Sequence, residues 1–424
     1  MHAADIAPIA PSEQTQSSVD LFLIFVGANV VATTFQVGAS LSASFAMRTV
    51  VALIAIGSIA GAALVAALAP VGPRLRVPSV IAVRLALGIR GASLVAIVLY
   101  VTNFAWIALN NVIAASACAR IGLGSSQPAW AIALGLLATI VVWRGPAAVA
   151  RADRVAVPLM MIVAVALTFA CLRSTPAPPR AAPAMSWWSG LDVVVAYQVS
   201  WILMFADYSR YTRSVGGSVA AVFLGLALTS IWMMPLGAAA ARAAGTDDPG
   251  TMLAAVGLGS SGALLLTIAT LTTNFVNIYM SSLAWKSLAP RARDGSVIWS
   301  IGLIGTALSA VPGIWLEQYT NFMVLLGATL VPVGGIMFAH LYLARRHADD
   351  MQIADLYDER GSFRGVNRAG VTAWAAGAAI YFVAGFRSGG IGGTVPSLIV
   401  SIVVYQLLRA KPVDRIESRR AARR

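Results

Sequence analysis

Charge is scarce in this chain. Only 11% of its 424 residues are Asp, Glu, Lys or Arg, too few to cover a soluble globule, while 58% are hydrophobic. Cysteine is nearly absent: Cys118 and Cys171 stand at no metal-ligand or redox spacing and read as small apolar helix residues. The three histidines, His2, His340 and His347, are scattered, and none pairs with a Cys or carboxylate at a ligand or triad spacing. His340, near the membrane face, reads as a snorkelling side chain. There is no nucleotide-binding loop, so ATP does not drive this protein. With no nucleophile, base or metal cluster to assemble, the sequence argues against an enzyme. The short alternating strands of a β-barrel are missing too.

What the chain has instead is a series of apolar runs of roughly 18 to 25 residues, the length a helix needs to cross ~30 Å of hydrocarbon. Their mean hydropathy is high, +0.79 over the whole chain. The sequence therefore predicts an all-α integral membrane protein with twelve transmembrane helices. The spans read as residues 20–44, 47–70, 92–118, 128–145, 154–173, 190–207, 217–241, 258–285, 295–313, 318–344, 369–386 and 390–409. The first twenty residues hold no Lys or Arg and no apolar core, which fits a short polar tail and not a signal peptide.

Topology follows from the cations. With the N-terminus inside, 24 of the 30 Lys and Arg fall on cytoplasmic segments, including Arg345, Arg346 and the tail from Arg409 to Arg424. Six fall outside: Arg48, Arg120, Arg173, Arg180, Arg242 and Arg387. This bias predicts an inner (plasma) membrane protein with both termini cytoplasmic. It accounts for the net charge of +13 without nucleic acid, since a basic tail beside a bilayer rests on anionic lipid.

Two spans are poor helices in matching places. Span one carries Gly27, Asn29, Thr33, Thr34, Gln36 and Gly38 at membrane depth, and span six carries Tyr197, Gln198 and Ser200. Unwound backbone is tolerated there only where it lines a cavity, and transporters use such breaks to hold solutes and ions. Corresponding breaks predict two inverted five-helix repeats, residues 20–173 and 190–344. Spans eleven and twelve (369–409), an N-terminal tail (1–19) and a basic C-terminal tail (410–424) complete the chain. Span eight adds a stack of uncharged polar side chains, Thr272, Thr273, Asn274, Asn277 and Tyr279. Such groups cannot be left unpaired in hydrocarbon, so they should face a polar cavity or other helices.

Several motifs then carry a resemblance. Arg84, Gly88, Gly91 and Ser93 resemble a glycine-containing segment between spans two and three of the nucleobase cation symporter family. Asp207, Arg210 and Tyr211 look like the signature closing span six, and Pro332, Gly334 and Gly335 like the end of span ten. Asp355, Tyr357, Gly365 and Asn367 are similar to the loop after it. The resemblance covers nearly the whole chain and implies a leucine-transporter-like fold. Span eight looks most like that of the cytosine permeases. The chain departs from the family at His340, where an Asp is usual, and at Gln198, where an aromatic precedes the signature Asp by about nine residues.

A flat heteroaromatic ring offers two π faces and an edge of donors and acceptors, so its pocket needs aromatic planes and amides. Trp106, Asn110, Gln198, Asn274 and Asn277 supply those types, with Tyr197 as a substitute second plane. Each Asn has an alternative role as a helix-helix hydrogen bond. The resemblance further implies a sodium site built from the carbonyls of Ala28, Val31 and Ala269 and the hydroxyls of Thr272 and Thr273. A proton relay has no carboxylate at a span centre to use. Asp207 and Arg210 read as a structural or gating pair. The expected function is sodium-coupled import of a nucleobase such as cytosine by a monomeric symporter with no other cofactor. Competing readings are a carrier of hydroxymethylpyrimidine, allantoin or a hydantoin, proton coupling, and a ligand-sensing transceptor.

Overall fold

A computed structural model describes residues 6–120, 126–173, 185–343, 353–385 and 391–409. The basic tail, Arg345, Arg346, His2, His347, Arg180 and Arg387 lie outside the described residues. Everything described is helix, turn or loop apart from one isolated bridge between Gln16 and Thr212.

The helices follow the expected spans. Span one is split into Ser18–Asn29 and Ala32–Ser42, its halves bent by 52°. Spans two to five are Met47–Leu68, Ile89–Arg120, Gln127–Trp143 and Pro146–Arg173. Span six is α-helical only over Trp187–Val199, then tightens into a 3-10 turn at Ser200–Met204. Spans seven to nine are Val215–Ala244, Gly259–Leu288 and Asp294–Leu308. Span ten is Tyr319–Phe338 with a π-helical end at Ala339–Leu343, and Arg368–Gly385 and Thr394–Leu408 close the chain. Among the described residues, six helices are long and apolar enough to cross a bilayer by themselves, or seven with the bent first pair counted as one span. The others are shorter or interrupted.

Burial runs opposite to that of a soluble protein. Asn29, Asn110, Asn111, Gln198 and Asn274 are fully buried, whereas Val155, Ile162, Phe169 and Leu228 are exposed. Such a surface suits hydrocarbon, and the amides must pair inside. Asn29 does so by donating to the Leu226 carbonyl and to the hydroxyls of Thr229 and Ser230 on span seven. Below it the two backbones nearly touch. A methyl at Gly237 would fall 1.8 Å from the Phe35 carbonyl oxygen, and one at Gly38 would fall 1.6 Å from that of Met234. Glycine is required there because helices without side chains between them approach closest.

The N-terminal segment is docked rather than a loose tail. The Gln14 amide donates to the carbonyls of Pro73, Arg210 and Thr212, Ile9 N–H donates to Arg76, and Tyr357 donates to Ile6. The loops after spans two, six and ten therefore share one face with the N-terminus, as an even number of spans between them requires. His340 is buried and does not snorkel: its Nδ1 lies 2.7 Å from the Tyr405 hydroxyl of span twelve. Asp192 on span six is also buried, accepting the Gly393 and Thr394 N–H groups at the start of span twelve.

Candidate functional site

Where the two breaks face each other, a pocket opens between spans one, three, six and eight. Each helix contributes residues at helical spacing: Leu99, Asn103 and Trp106; Tyr197, Ser200, Trp201 and Met204; Thr273, Val276, Asn277 and Met280. The break of span one adds Ala28, Val31 and Thr33. No charged side chain lines it.

Trp106 is the aromatic centre. Its ring meets Tyr197 edge-on at 6.1 Å with planes at 84°, and Phe322 of span ten at 5.1 Å and 72°. Tyr197 thus stands across Trp106 instead of parallel to it. Its hydroxyl contacts Thr34 Oγ1 at 2.5 Å and Thr33 Oγ1 at 3.4 Å, which ties one broken span to the other. Tyr319 of span ten donates to the Thr33 carbonyl at 3.0 Å, so the same break is held from a third side.

Of the expected ring-binding set, Trp106, Tyr197 and Asn277 line the pocket, and Asn110, Gln198 and Asn274 do not. Asn110 turns back and donates to the Trp106 carbonyl at 2.8 Å. Gln198 faces span two, where a methyl at Gly61 would lie 2.5 Å from its Cβ. Asn274 links helices: it donates to Asn111 Oδ1 on span three at 2.8 Å and accepts from Asn277 at 3.4 Å. It therefore orients the pocket amide from behind. The cavity occupies the N-terminal side of Trp106 on span three, so Asn103, not Asn110, shares its face. Asn103 and Trp201 are wall residues the sequence reading missed. Their signal was the spacing of i−3 from Trp106 and i+4 from Tyr197.

The residues implied for sodium come together. Val31 and Ala269 pack in one small cluster with Ala156 and Met160 of span five, and Ala28, Val31 and Thr273 line the pocket. The hydroxyls of Thr272 and Thr273 both donate to the Ala269 carbonyl, at 3.0 and 2.7 Å. Those bonds use the hydroxyl hydrogens and leave lone pairs on the two threonine oxygens, hard donors that fit a hard monovalent cation, while the Ala269 carbonyl already accepts from both. Ala28 stands in the last turn of its half-helix, where carbonyls lack in-helix partners.

Below the pocket, Asp207 and Arg210 are buried in the turn after span six. Asp207 accepts from the Ser79 N–H, and Arg210 donates to the hydroxyls of Tyr211 and Tyr279, the latter on span eight. Together they tie span six to the loop after span two and to span eight.

Residues 8–406 match the family model described as a permease for cytosine/purines, uracil, thiamine and allantoin. The cytosine permease of Escherichia coli (strain K12) is 22% identical over 342 residues, covering 79% of this chain and 80% of its own. A putative purine-cytosine permease of Bacillus subtilis (strain 168) is 24% identical over 392 residues, 84% of this chain and 82% of its own. In three dimensions the chain is similar to Mhp1, a nucleobase-cation-symport-1 family transporter, in a closed conformation with bromovinylhydantoin bound. The TM-score is 0.78 at 18% identity, covering 94% of this chain and 93% of that one. A Na+-coupled sialic acid symporter shares the fold at a TM-score of 0.62 and 12% identity, with 94% and 91% covered. These likenesses establish an all-α, leucine-transporter-like fold of two inverted five-helix repeats and two further helices, in a multi-pass membrane protein. With the model match running nearly end to end, the chain belongs to the family of cytosine/purine, uracil, thiamine and allantoin permeases, the nucleobase cation symporters that its motifs resemble.

Proposed function

We propose that this permease imports a neutral nucleobase or related heterocycle together with sodium, by alternating access around the pocket between the two broken spans. The observation that carries this reading is the pocket lining: aromatic rings and uncharged amides at a double helix break, with no carboxylate, Lys, Arg or His. A cationic cargo would lack a counter-ion there and an anionic one would lack a positive partner, so a neutral polar ring is favoured. Trp106 offers the π face and Asn277 an amide edge, braced by Asn274. Sodium coupling is supported by the oxygen donors around Ala269 and by the absence of a carboxylate in the pocket wall. Asp207 and Arg210 act as the inner gate, because they bind span six to the neighbours it must leave when that side opens.

Uptake of radiolabelled cytosine, uracil, hypoxanthine, allantoin and hydantoin into proteoliposomes, with sodium or choline outside, tests the proposal. Accumulation of one ring that requires sodium is expected, with Trp106→Ala and Asn277→Ala abolishing it in protein that still folds. Wild-type uptake in both variants would remove this pocket from the transport route. Binding of a ring with no flux under any gradient would favour a ligand sensor.

A further inference from the structure

Two polar atoms in the pocket wall have nothing to bond to. Asn103 Nδ2 on span three and Trp201 Nε1 on span six are both buried without a hydrogen-bond partner. Asn103 is 5% exposed and Trp201 8%, and both side chains line the pocket. Among the other polar side chains of the wall, Thr33, Tyr197, Ser200, Thr273 and Asn277 all have partners. A buried donor left unpaired lowers stability, so the ligand-free protein would be more stable with apolar side chains of the same shape at these positions.

Resting on the heterocycle reading, we propose that Trp201 and Asn103 are specificity-determining contacts that donate hydrogen bonds to carbonyl oxygens of the transported ring. The indole N–H is a donor only, so whatever meets Trp201 must be an acceptor. Asn103 offers its amide N–H from the opposite helix. Asn277 complements them: its Nδ2 points to Asn274, which leaves its carbonyl oxygen for a ring N–H. Two donors and one acceptor select a neutral ring with oxo groups and at least one N–H. Trp201 also explains the departure at Gln198. The amide that stands in for an aromatic faces span two at Gly61, and Trp201, three residues later, joins Tyr197 as a span-six aromatic in this pocket wall. Its ring is held from behind by Phe25, centroids 6.2 Å apart and planes at 61°.

The test combines two isosteric variants, Trp201→Phe and Asn103→Leu, with thermal unfolding and ring titration. The probes are the best-bound ring of the uptake panel and its thiocarbonyl analogue, which has the same shape and a poorer acceptor. The ligand-free variants should melt at or above the wild-type temperature, because each loses an unpaired donor. Each should bind the oxo ring about tenfold more weakly, the scale of one net hydrogen bond. The thiocarbonyl ring should distinguish wild type from Trp201→Phe far less. A structural role predicts the reverse, a lower melting temperature with affinity preserved in the folded fraction, and that result overturns the assignment. So does wild-type affinity in both variants while the wild type binds a ring. Should one variant fail to fold, the other carries the same comparison. If wild-type protein binds none of the rings, the heterocycle reading itself fails, and the two failures are thereby distinguished.

Discussion

Thr273→Ala separates cation binding from folding, because the hydroxyl it removes does little for the helix. Thr273 Oγ1 donates to the Ala269 carbonyl one turn back, at 2.7 Å, and Ala28 and Val31 line the same pocket. A bond of that type competes with the helix's own and is close to neutral, and the Ala269 carbonyl keeps Thr272 at 3.0 Å. Stability should therefore change by less than about 1 kcal/mol. A sodium ion losing one hard oxygen loses an interaction comparable to a hydrogen bond to a charged group, about 1.5–3 kcal/mol. That corresponds to sodium affinity weakened roughly 10- to 100-fold, at about 1.4 kcal/mol per decade. The assay is ring uptake, or ring-dependent thermal stabilisation, titrated with sodium against choline. The half-saturating sodium concentration should rise by that factor in Thr273→Ala and stay near wild type in Thr273→Ser, which keeps the oxygen. An unchanged sodium curve in Thr273→Ala would refute the cation assignment.

Three further perturbations test the frame around the site. Gly237→Leu drives a side chain into the Phe35 carbonyl, so it should destabilise the protein by roughly 3 kcal/mol or more and disturb the break of span one. Thermal unfolding checks this, and a wild-type melting temperature would show that the two spans are not held in contact. Asp192→Asn replaces an oxygen that accepts from the start of span twelve with an amide N–H facing a donor. A loss of about 1–3 kcal/mol is expected, with no change in ring preference, because Asp192 does not line the pocket. Gln14→Ala removes the donor shared by three carbonyls on two loops, so it should lower stability by about 1–3 kcal/mol and expose the N-terminal segment to protease. Wild-type resistance would mean the segment is held by its backbone contacts alone.

The class, the spans and both breaks were legible because each leaves a one-dimensional mark. Apolar length marks a span, and Gly27, Asn29, Thr33 and Gln36 in a run that ought to be uniformly apolar mark the unwinding at Val30. The pocket was half legible. Trp106 and Asn277 can be read from residue type, but which neighbour shares their face depends on where the cavity sits along the helix. That is a tertiary fact. Asn110, one turn after Trp106, bonds back to its own helix, while Asn103, one turn before it, meets the cavity. Gln198 illustrates a second limit: it sits beside Tyr197 in the same α-helix, and only the packing of span two at Gly61 shows which of the two faces the cavity. His340 looked peripheral by position, but it is buried, with its Nδ1 2.7 Å from the Tyr405 hydroxyl of span twelve. The docked N-terminal segment had no apolar signal because side-chain and backbone hydrogen bonds to loops far along the chain hold it.

Cargo and coupling ion are tested together by the melting temperature of the detergent-purified protein against cytosine, uracil, purines, allantoin, hydantoins and hydroxymethylpyrimidine, in sodium and in choline. A ligand that binds only the native state raises that temperature by mass action. One neutral oxo-heterocycle should stabilise the protein, and sodium should strengthen the effect. Stabilisation by a charged ligand instead, or by a ring to the same extent in choline as in sodium, would contradict it.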